Sequence, residues 1–417
     1  MLRDTKSAIE LTVPLRGFFS KDDPYGRWWT DGVEFGDDPD RAKYSYRAPR
    51  VLLIHDVHGP VVLVGCRSTG ATSSFRAGKG NIVANFAVLG GTHLNYEKLH
   101  GLRTEIPALA AWTKLSSMAV KTEANSNSRI QSVEMTLTNA PAIRLARALN
   151  LKLRSTWRTE RPDGGFLAYE GVELETTVRR DRTWDEHLQL HGAVLELVSI
   201  AGWRPFGFSS VKAQRIDDPE RNAAGGSMGD RWLSVVTHRL PKHDQWSKSP
   251  RFLFPYAEIG PKGISRWLRL RKTYGRVIAP LLNVLRSDNR WGNPSRVQSG
   301  IALEALGYLI DVEKNGGANL NSRKQMNFKP GLRVILEDMK VKPFEDVEGW
   351  IERADASYMG AKHLDRPEPD SLVQINTLRE NLLILRFWIG LQLGVRPKSL
   401  LDGLDADPLA SEFVKMD

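Results

Sequence analysis

The sequence predicts an α+β protein: a β-rich, mixed N-terminal domain followed by an all-α helical bundle. Three observations point there. Period-2 alternation of apolar residues dominates roughly the first 250 positions. Beyond a Pro/Gly cluster at Phe254 to Gly263 it gives way to helical spacing, and Asn, Gly and Pro breaks then divide the remainder into segments of helix length. The resulting division is a first domain over 1–255, a helical domain over 263–400 and a C-terminal tail over 401–417.

In the first domain, Ile9, Leu11, Val13 and Leu15 alternate with small or polar residues, as a half-buried strand requires. The apolar runs Arg50 to Ile54 and Pro60 to Gly65, joined by His-Asp-Val-His-Gly, read as a hairpin. Leu149, Leu151, Leu153 and Trp157 alternate with Lys152, Arg154, Thr156 and Arg158, and Val172, Leu174, Thr176 and Val178 with Glu173 and Glu175. The turn residues Pro162-Asp163-Gly164-Gly165 between them predict that these two strands pair. Phe206 to Ile216 and Trp232 to Arg239 are later strands, separated by the turn-rich Asp217 to Asp230. Helices are expected at about Leu94 to Leu115 and Trp184 to Ala201.

In the second domain, helices are expected at about 263–286, 295–314, 323–341, 344–363 and 370–395. Ile301, Leu303, Leu306, Leu309 and Ile310 form one apolar stripe, and Leu378, Leu382, Leu385 and Ile389 another. Val347, Ile351, Ala354, Tyr358 and Ala361 follow 4-3-4-3 spacing and should face the bundle. Short connections imply antiparallel neighbours.

Composition narrows the class. Of 417 residues, 41% are hydrophobic and 26% charged, which excludes collagen-like, disordered and disulfide-scaffold chains. The single Cys66 excludes an intrachain disulfide and a zinc ribbon, and reads as a small buried hydrophobe. The first residues do not read as a signal peptide. The longest apolar stretch, Leu382 to Gly394, is interrupted by Arg386 and Gln392 and is too short to span a bilayer. A cytoplasmic protein with no membrane partner is expected. Lysine and arginine total 59 against 49 acids, a net charge of +10. The excess concentrates in Pro261 to Gly300, which holds nine basic residues and one acid, Asp288.

Several chemistries are excluded or weakened by spacing. Arg76-Ala77-Gly78-Lys79-Gly80 resembles a phosphate loop but lacks the glycine five residues before Gly78 and the Ser or Thr after Lys79. His187 and His191 share a helix face and His55 and His58 flank a turn, but no third ligand is evident for either pair, so no metal and no cofactor is expected. No Gly-x-Ser-x-Gly elbow occurs.

Two features carry chemistry. The basic segment Lys262 to Arg296 interleaves Trp267, Tyr274 and Trp291 with its arginines, a mix suited to single-stranded RNA, or else a merely solvated helix face. Residues 344–370 end a helix in Lys362-His363, with Arg366 and a Pro-rich turn after it. A histidine beside cations can act as general acid or base on a phosphodiester whose own 2′-hydroxyl is the nucleophile. The plainer reading is favourable charge at a helix C-terminus.

The domain order, the helix carrying Ala302-Leu303-Glu304-Ala305-Leu306, and the string Tyr358-Met359-Gly360-Ala361-Lys362-His363 followed by Arg366, Pro367, Pro369 and Asp370 resemble the ApeA-like anti-phage proteins, whose C-terminal domain belongs to the HEPN superfamily. The resemblance implies a metal-independent ribonuclease acting in abortive infection. It also implies a homodimer with its sites at the interface, and an N-terminal domain that senses infection, with a phage-encoded protein as trigger. His363 corresponds to the superfamily's catalytic histidine. In that reading Lys362 and Arg366 hold phosphate, Tyr358 positions the RNA or the histidine, and Glu304 organises the site. Arg266, Arg269, Lys272, Arg276 and Arg353 are the RNA-binding candidates.

One departure stands out. The superfamily places an arginine four to six residues ahead of the histidine, where this chain has Ala356, Ser357 and Tyr358. The nearest upstream arginine, Arg353, lies about 15 Å away along a helix axis. The alternative function is therefore a non-catalytic HEPN-fold protein that binds RNA or dimerises.

Overall fold

Alternating strands place one set of side chains on each sheet face, and the computed structural model of the chain shows both faces in use. It describes residues 1–16, 25–30, 48–74, 77–243 and 249–415. A nine-stranded sheet runs, in spatial order, Ile143–Arg144, Lys152–Glu160, Leu167–Thr183, Lys98–Glu105, Ser210–Gln214, Trp232–Thr237, Phe86–Leu89, Gly59–Val64 and Val51–Asp56. All neighbours are antiparallel. A second, four-stranded sheet of Leu2–Asp4, Ile9–Arg16, Ala77–Ala84 and Arg67–Ser73 lies over part of one face, where Ile9, Leu11, Val13 and Ile82 share a core with Val61, Leu63 and Ala87. The sequence-derived pairing of the strands on either side of Pro162 to Gly165 holds, with Leu153 opposite Leu174. Cys66 is buried here, and burial pushes its thiol up to about 12, so it acts as a small apolar side chain.

The expected helix over Leu94 to Leu115 is a correction. A 3-10 turn, Leu94–Glu97, leads into the central strand Lys98–Glu105, and only Ala108–Thr113 is helical. Leu99 and Leu102 are fully buried on one face, whereas Arg103 on the other spans carboxylates of the neighbouring strand. A central strand in contact on both sides does not show clean alternation. The segment that only resembles a phosphate loop is strand: Gly78, Lys79 and Gly80 belong to Ala77–Ala84, and Arg76 lies outside the described residues.

On the same face as the second sheet, Lys152, Glu175, Arg103 and Lys212 stand in register on adjacent strands. Glu175 accepts from Arg103 Nε at 2.8 Å and Arg154 Nη1 at 2.7 Å, and Glu173 from Lys212 Nζ at 2.9 Å. Burial raises the Glu175 carboxyl, but Arg103 and Arg154 outweigh it and hold it below the usual range.

Helices α1 (Arg27–Thr30) and α2 (Ala108–Thr113) are short; α3 (Trp184–Gly202) is the pivot of the molecule. It leaves the sheet at Thr183, which forms a capping box with Glu186. His187 and His191 point into the sheet. Thr176 Oγ1 bonds His187 Nδ1 at 2.7 Å and His191 Nε2 at 3.0 Å, and Thr104 Oγ1 bonds His191 Nδ1 at 2.7 Å. These are core histidines, and no cluster of three metal-ligating side chains occurs among the described residues. Burial, and then the neighbouring His187, push His191 down to about 3. An unfolded histidine titrates near about 6.5, so below that pH the unfolded chain binds a proton that the folded one excludes. Stability is therefore complete above about pH 6.5 and falls towards pH 3, by about 1.4 kcal/mol per pH unit for this group. Urea midpoints measured between pH 7 and pH 5 should fall less for His191→Gln than for the native protein; equal falls would refute this assignment.

The helical half comprises α4 (Tyr256–Thr273), α5 (Gly275–Arg286), α6 (Asn293–Lys314), α7 (Phe328–Met339), α8 (Val347–Lys362), α9 (Ser371–Leu393) and α10 (Pro397–Leu404). The expected single helix over 263–286 is two, interrupted at Tyr274, and the first starts seven residues earlier with a kink at Gly260 (φ +52°) ahead of Pro261. The expected helix over 323–341 is shorter because Asn321 organises a turn up to Gln325. The expected strand over Phe206 to Ile216 shrinks to Ser210–Gln214. Leu378, Leu382, Leu385 and Ile389 are buried as expected, but so is nearly every residue from Thr377 to Gly390, which makes α9 the central helix. Gly307 and Gly331 let α6 and α7 cross with backbones in contact.

The two halves share one hydrophobic core that runs from Ile106, Trp112 and Leu174 through α3 to α9. Trp267 donates its indole N–H to the Ala193 carbonyl at 2.6 Å, and Trp112 to the Phe254 carbonyl at 2.9 Å. Residues 401–409 are part of this body: α10 extends to Leu404, the Asp407 side chain is wholly buried against Arg386, and Leu409 joins the core. No helix among the described residues is long and apolar enough to cross a membrane.

Candidate active site

Helix α8 begins at Asp346, whose carboxylate accepts from Gly349 N at 2.9 Å, and ends where His363 turns extended (φ −127°, ψ 119°) while its N–H still reaches the Met359 carbonyl at 2.9 Å. Pro367 and Pro369 prevent the helix from resuming. The loop that follows is anchored at its far end. Arg296, buried on α6, donates to Glu368 Oε2 at 3.3 Å and also to Gln374 Oε1. Gln374 Nε2 donates to Glu368 at 3.0 Å, and Asp370 caps α9 through Leu372 N.

Between these anchors, Lys362, His363, Leu364 and Arg366 are exposed, and Arg366 N closes a turn on the His363 carbonyl at 3.1 Å. The His363 imidazole has no hydrogen-bond partner among the described residues. The structure thus brings Lys362, His363 and Arg366 together on one short segment. Tyr358 and Glu304 lie beneath it. Tyr358 is buried, donates its hydroxyl to Glu304 Oε2 at 2.9 Å, and carries Lys362 Nζ 5.2 Å above its ring. Burial and then the Glu304 carboxylate keep its phenol protonated far above neutral pH, so it is a donor and a brace. The close approach of α6 that makes this possible needs Gly300, where a Cβ would strike the Tyr358 ring.

Arg353 is not near His363. It donates to Asp346 at 2.7 Å and to Glu380 at 2.9 Å, towards the opposite end of α8. Lys262, Arg266, Arg269, Lys272 and Arg276 do form one exposed stripe along α4 and the start of α5. Arg266 Nη1, however, caps the Leu393 carbonyl at the C-terminus of α9, whereas the His363 loop adjoins its N-terminus. A 23-residue helix sets these places about 33 Å apart within one chain. Trp267 and Tyr274 are buried, Tyr274 bonded to Glu313 and packed on Trp388, so neither is a stacking platform for bases. Trp291 packs edge-on against Phe413.

Sequence reasoning missed the role of Arg296. Its signal was its position: it falls in phase with Ser299, Gly300 and Leu303, on the buried side of α6. The expected apolar stripe on that helix needs one correction. Leu303, Leu306 and Ile310 are buried, but Ile301 is 39% exposed and aligns instead with Tyr308 (39%) and Val312 (41%) on the outer face.

Fold and site together define an antiparallel β-sheet protein continuous with a helical domain, which presents a Lys-His-x-x-Arg loop on a braced helix end. Residues 2–267 match the family model described as ApeA N-terminal domain 1, and the chain belongs to that family, which places it among anti-phage defence proteins. The match runs across the sheets and α3 to Trp267 in α4, in keeping with a core that does not stop at the sheet. No curated protein and no solved structure matches the chain.

Proposed function

We propose that this ApeA-family protein is a defence effector whose helical half is a HEPN-type ribonuclease that works as a homodimer and needs no metal. The observation that carries this reading is the Lys362-His363-Arg366 loop: three nitrogen-bearing side chains held on one turn, with an imidazole free of structural bonds. Chemically, the RNA 2′-hydroxyl attacks the adjacent phosphorus and the 5′-oxygen leaves with a proton, which gives a 2′,3′-cyclic phosphate and a 5′-hydroxyl. Lys362 and Arg366 neutralise the pentacoordinate phosphate, and His363 takes or returns a proton. One imidazole per chain serves one of these two proton transfers. The partner's His363 serves the other.

The outer stripe of α6, Ile301, Tyr308 and Val312, supports self-association, because it lies on the helix that carries Glu304 and Arg296 and no described residue buries it. A two-fold axis through such a stripe pairs it with itself, and in this reading the same association joins the two His363 loops in one site. Incubating the purified protein with single-stranded RNA in EDTA should yield cyclic-phosphate ends. Tyr308→Glu should convert the dimer seen by light scattering to monomer and abolish cleavage; a monomeric native protein that cleaves RNA would contradict the dimeric site.

The second reading is a non-catalytic RNA-binding or dimerisation protein. The withdrawal of Arg353 into structural ion pairs favours it, as does the distance of the α4 stripe from His363. Each stripe cation that contacts phosphate should contribute about 0.7 to the salt slope of single-stranded RNA binding. Arg269→Gln with Lys272→Gln should therefore weaken RNA binding and flatten its salt dependence, measured by fluorescence anisotropy. An unchanged slope would remove the stripe from the interface.

A further inference from the structure

Two stretches of the chain carry no acid: none lies between Glu134 and Glu160, and none between Glu258 and Asp288. The fold brings them together. Ser265, midway along α4, donates its hydroxyl to the Leu145 carbonyl at 3.3 Å. This contact sets the edge strand Ile143–Arg144 of the large sheet, and the turn after it, against the helix. On one side of the junction lie Lys262, Arg266, Arg269 and Lys272, which share a helix face at i, i+4, i+7 and i+10. On the other side lie Arg144 and Arg147. All six are exposed.

The side chains of Arg144, Arg147, Lys262, Arg269 and Lys272 have no hydrogen-bond or ion-pair partner among the described residues. Arg266 gives one N–H to the Leu393 carbonyl at 3.1 Å. Glu258, the carboxylate one turn before Lys262, is engaged by Arg396 at 3.1 and 2.5 Å. Like charges three or four apart weaken a helix, so this row destabilises α4 unless an anion meets it. The facing segment is held firmly. Leu145 is 2% exposed within the shared core, its N–H bonds the Leu151 carbonyl at 2.8 Å, and Asn150 Nδ2 bonds Thr177 Oγ1 at 2.9 Å. On the helix side, Pro261, Lys262, Ser265, Arg266 and Arg269 line an open basin of about 340 Å³. Neither α4 nor residues 144–150 expose an aromatic ring, because Tyr256 and Trp267 are buried.

We propose that this two-sided basic surface binds a double-stranded nucleic acid through its phosphates, without reading its sequence. A single strand is held by a track of cations together with rings that stack on its bases, and this surface has no such ring. A double helix presents two rows of phosphates and one charge per about 1.7 Å of its axis. The row from Lys262 to Lys272 spans about 15 Å, a length over which a duplex carries about nine charges. Cations on two separate elements meet both rows, which one helix does not. The surface therefore extends the α4 stripe of the second reading above, where the helix alone meets a single strand, into the sheet half. DNA and RNA duplexes share this phosphate chemistry, and the experiment separates them.

The test is fluorescence anisotropy of the full chain with three probes: a duplex DNA, the RNA duplex of the same sequence, and a single-stranded DNA carrying as many phosphates. Saturable binding of at least one duplex is expected, tighter than that of the single strand and unchanged when the duplex sequence is scrambled. Whichever duplex binds identifies the source of the phosphates. Arg144→Gln with Arg147→Gln, and Arg269→Gln with Lys272→Gln, should each weaken duplex binding about tenfold and lower the salt slope by about two, since one phosphate contact contributes about 0.9. All four side chains are exposed, so both variants should keep their fold, as circular dichroism would show. Arg129→Gln removes the same charge from the exposed turn between Met118–Ala124 and Ile130–Leu137, and should bind as the native protein does. A loss confined to the α4 variant would overturn the two-sided surface and leave the second reading standing. Absence of saturable duplex binding would overturn the proposal, as would a single strand held as tightly as either duplex.

Discussion

Asp407→Ala is expected to lower the unfolding free energy by about 3–5 kcal/mol, the largest stability effect of any single substitution considered for this chain. The side chains of Arg386 and Asp407 are both 0% exposed and meet through two parallel N–H···O bonds. Arg386 further donates to the carbonyls of Ile200 and Ala201, so it fastens α9, the end of α3 and the C-terminal segment at one point. Removing Asp407 strands a guanidinium where water cannot reach it. Urea unfolding followed by circular dichroism measures the loss. Replacing both partners together, Arg386→Met with Asp407→Leu, should cost far less, because no charge is then left unpaired. A loss below about 1 kcal/mol in the single variant would mean that the pair is not buried as described. A chain truncated after residue 400 should lose more than the single variant, because it also removes the buried Leu409 and the carbonyls that Arg379 donates to.

His363→Ala is expected to reduce RNA cleavage by about 10²- to 10⁴-fold, the range a general acid or base contributes, while the unfolding midpoint stays unchanged. The separation of the two readouts follows from the geometry: the imidazole is exposed and bonded to nothing, so its loss leaves no cavity and no orphaned partner. Lys362→Ala and Arg366→Ala should also lower cleavage without unfolding the protein, because phosphate stabilisation is shared between them. A drop in cleavage that tracks a drop in stability would assign His363 a structural role. An unaltered rate would transfer catalysis elsewhere or leave the protein a binder.

Much of the fold was legible because the strands after Leu149 set apolar residues on one face against polar and charged ones on the other, and most helices of the second half bury one face, so both write their period into the sequence. Where an element is in contact on both sides, the period disappears. The strand Lys98–Glu105 looked helical for that reason, and α9 showed a stripe although it is buried all round. Residues 401–417 looked like a tail because a single buried aspartate, Asp407, leaves no pattern. Of the candidate site, the Lys362-His363-Arg366 loop could be read from helix punctuation alone. The anchoring by Arg296 and the removal of Arg353 could not, since both depend on which carboxylates the tertiary fold brings near. The aromatic rings of α4 and α5 failed as base platforms for the same reason: interleaving with arginines does not say which side of a helix faces the core.

The most direct measurement is the sequencing of RNA ends from phage-infected cells that carry either the native protein or His363→Ala. New, discrete 5′-hydroxyl ends with the native protein, absent from the variant together with its protection, are the predicted result. Intact defence in the variant, with the same RNA ends in both cultures, would contradict the ribonuclease and leave a defence protein that acts by binding.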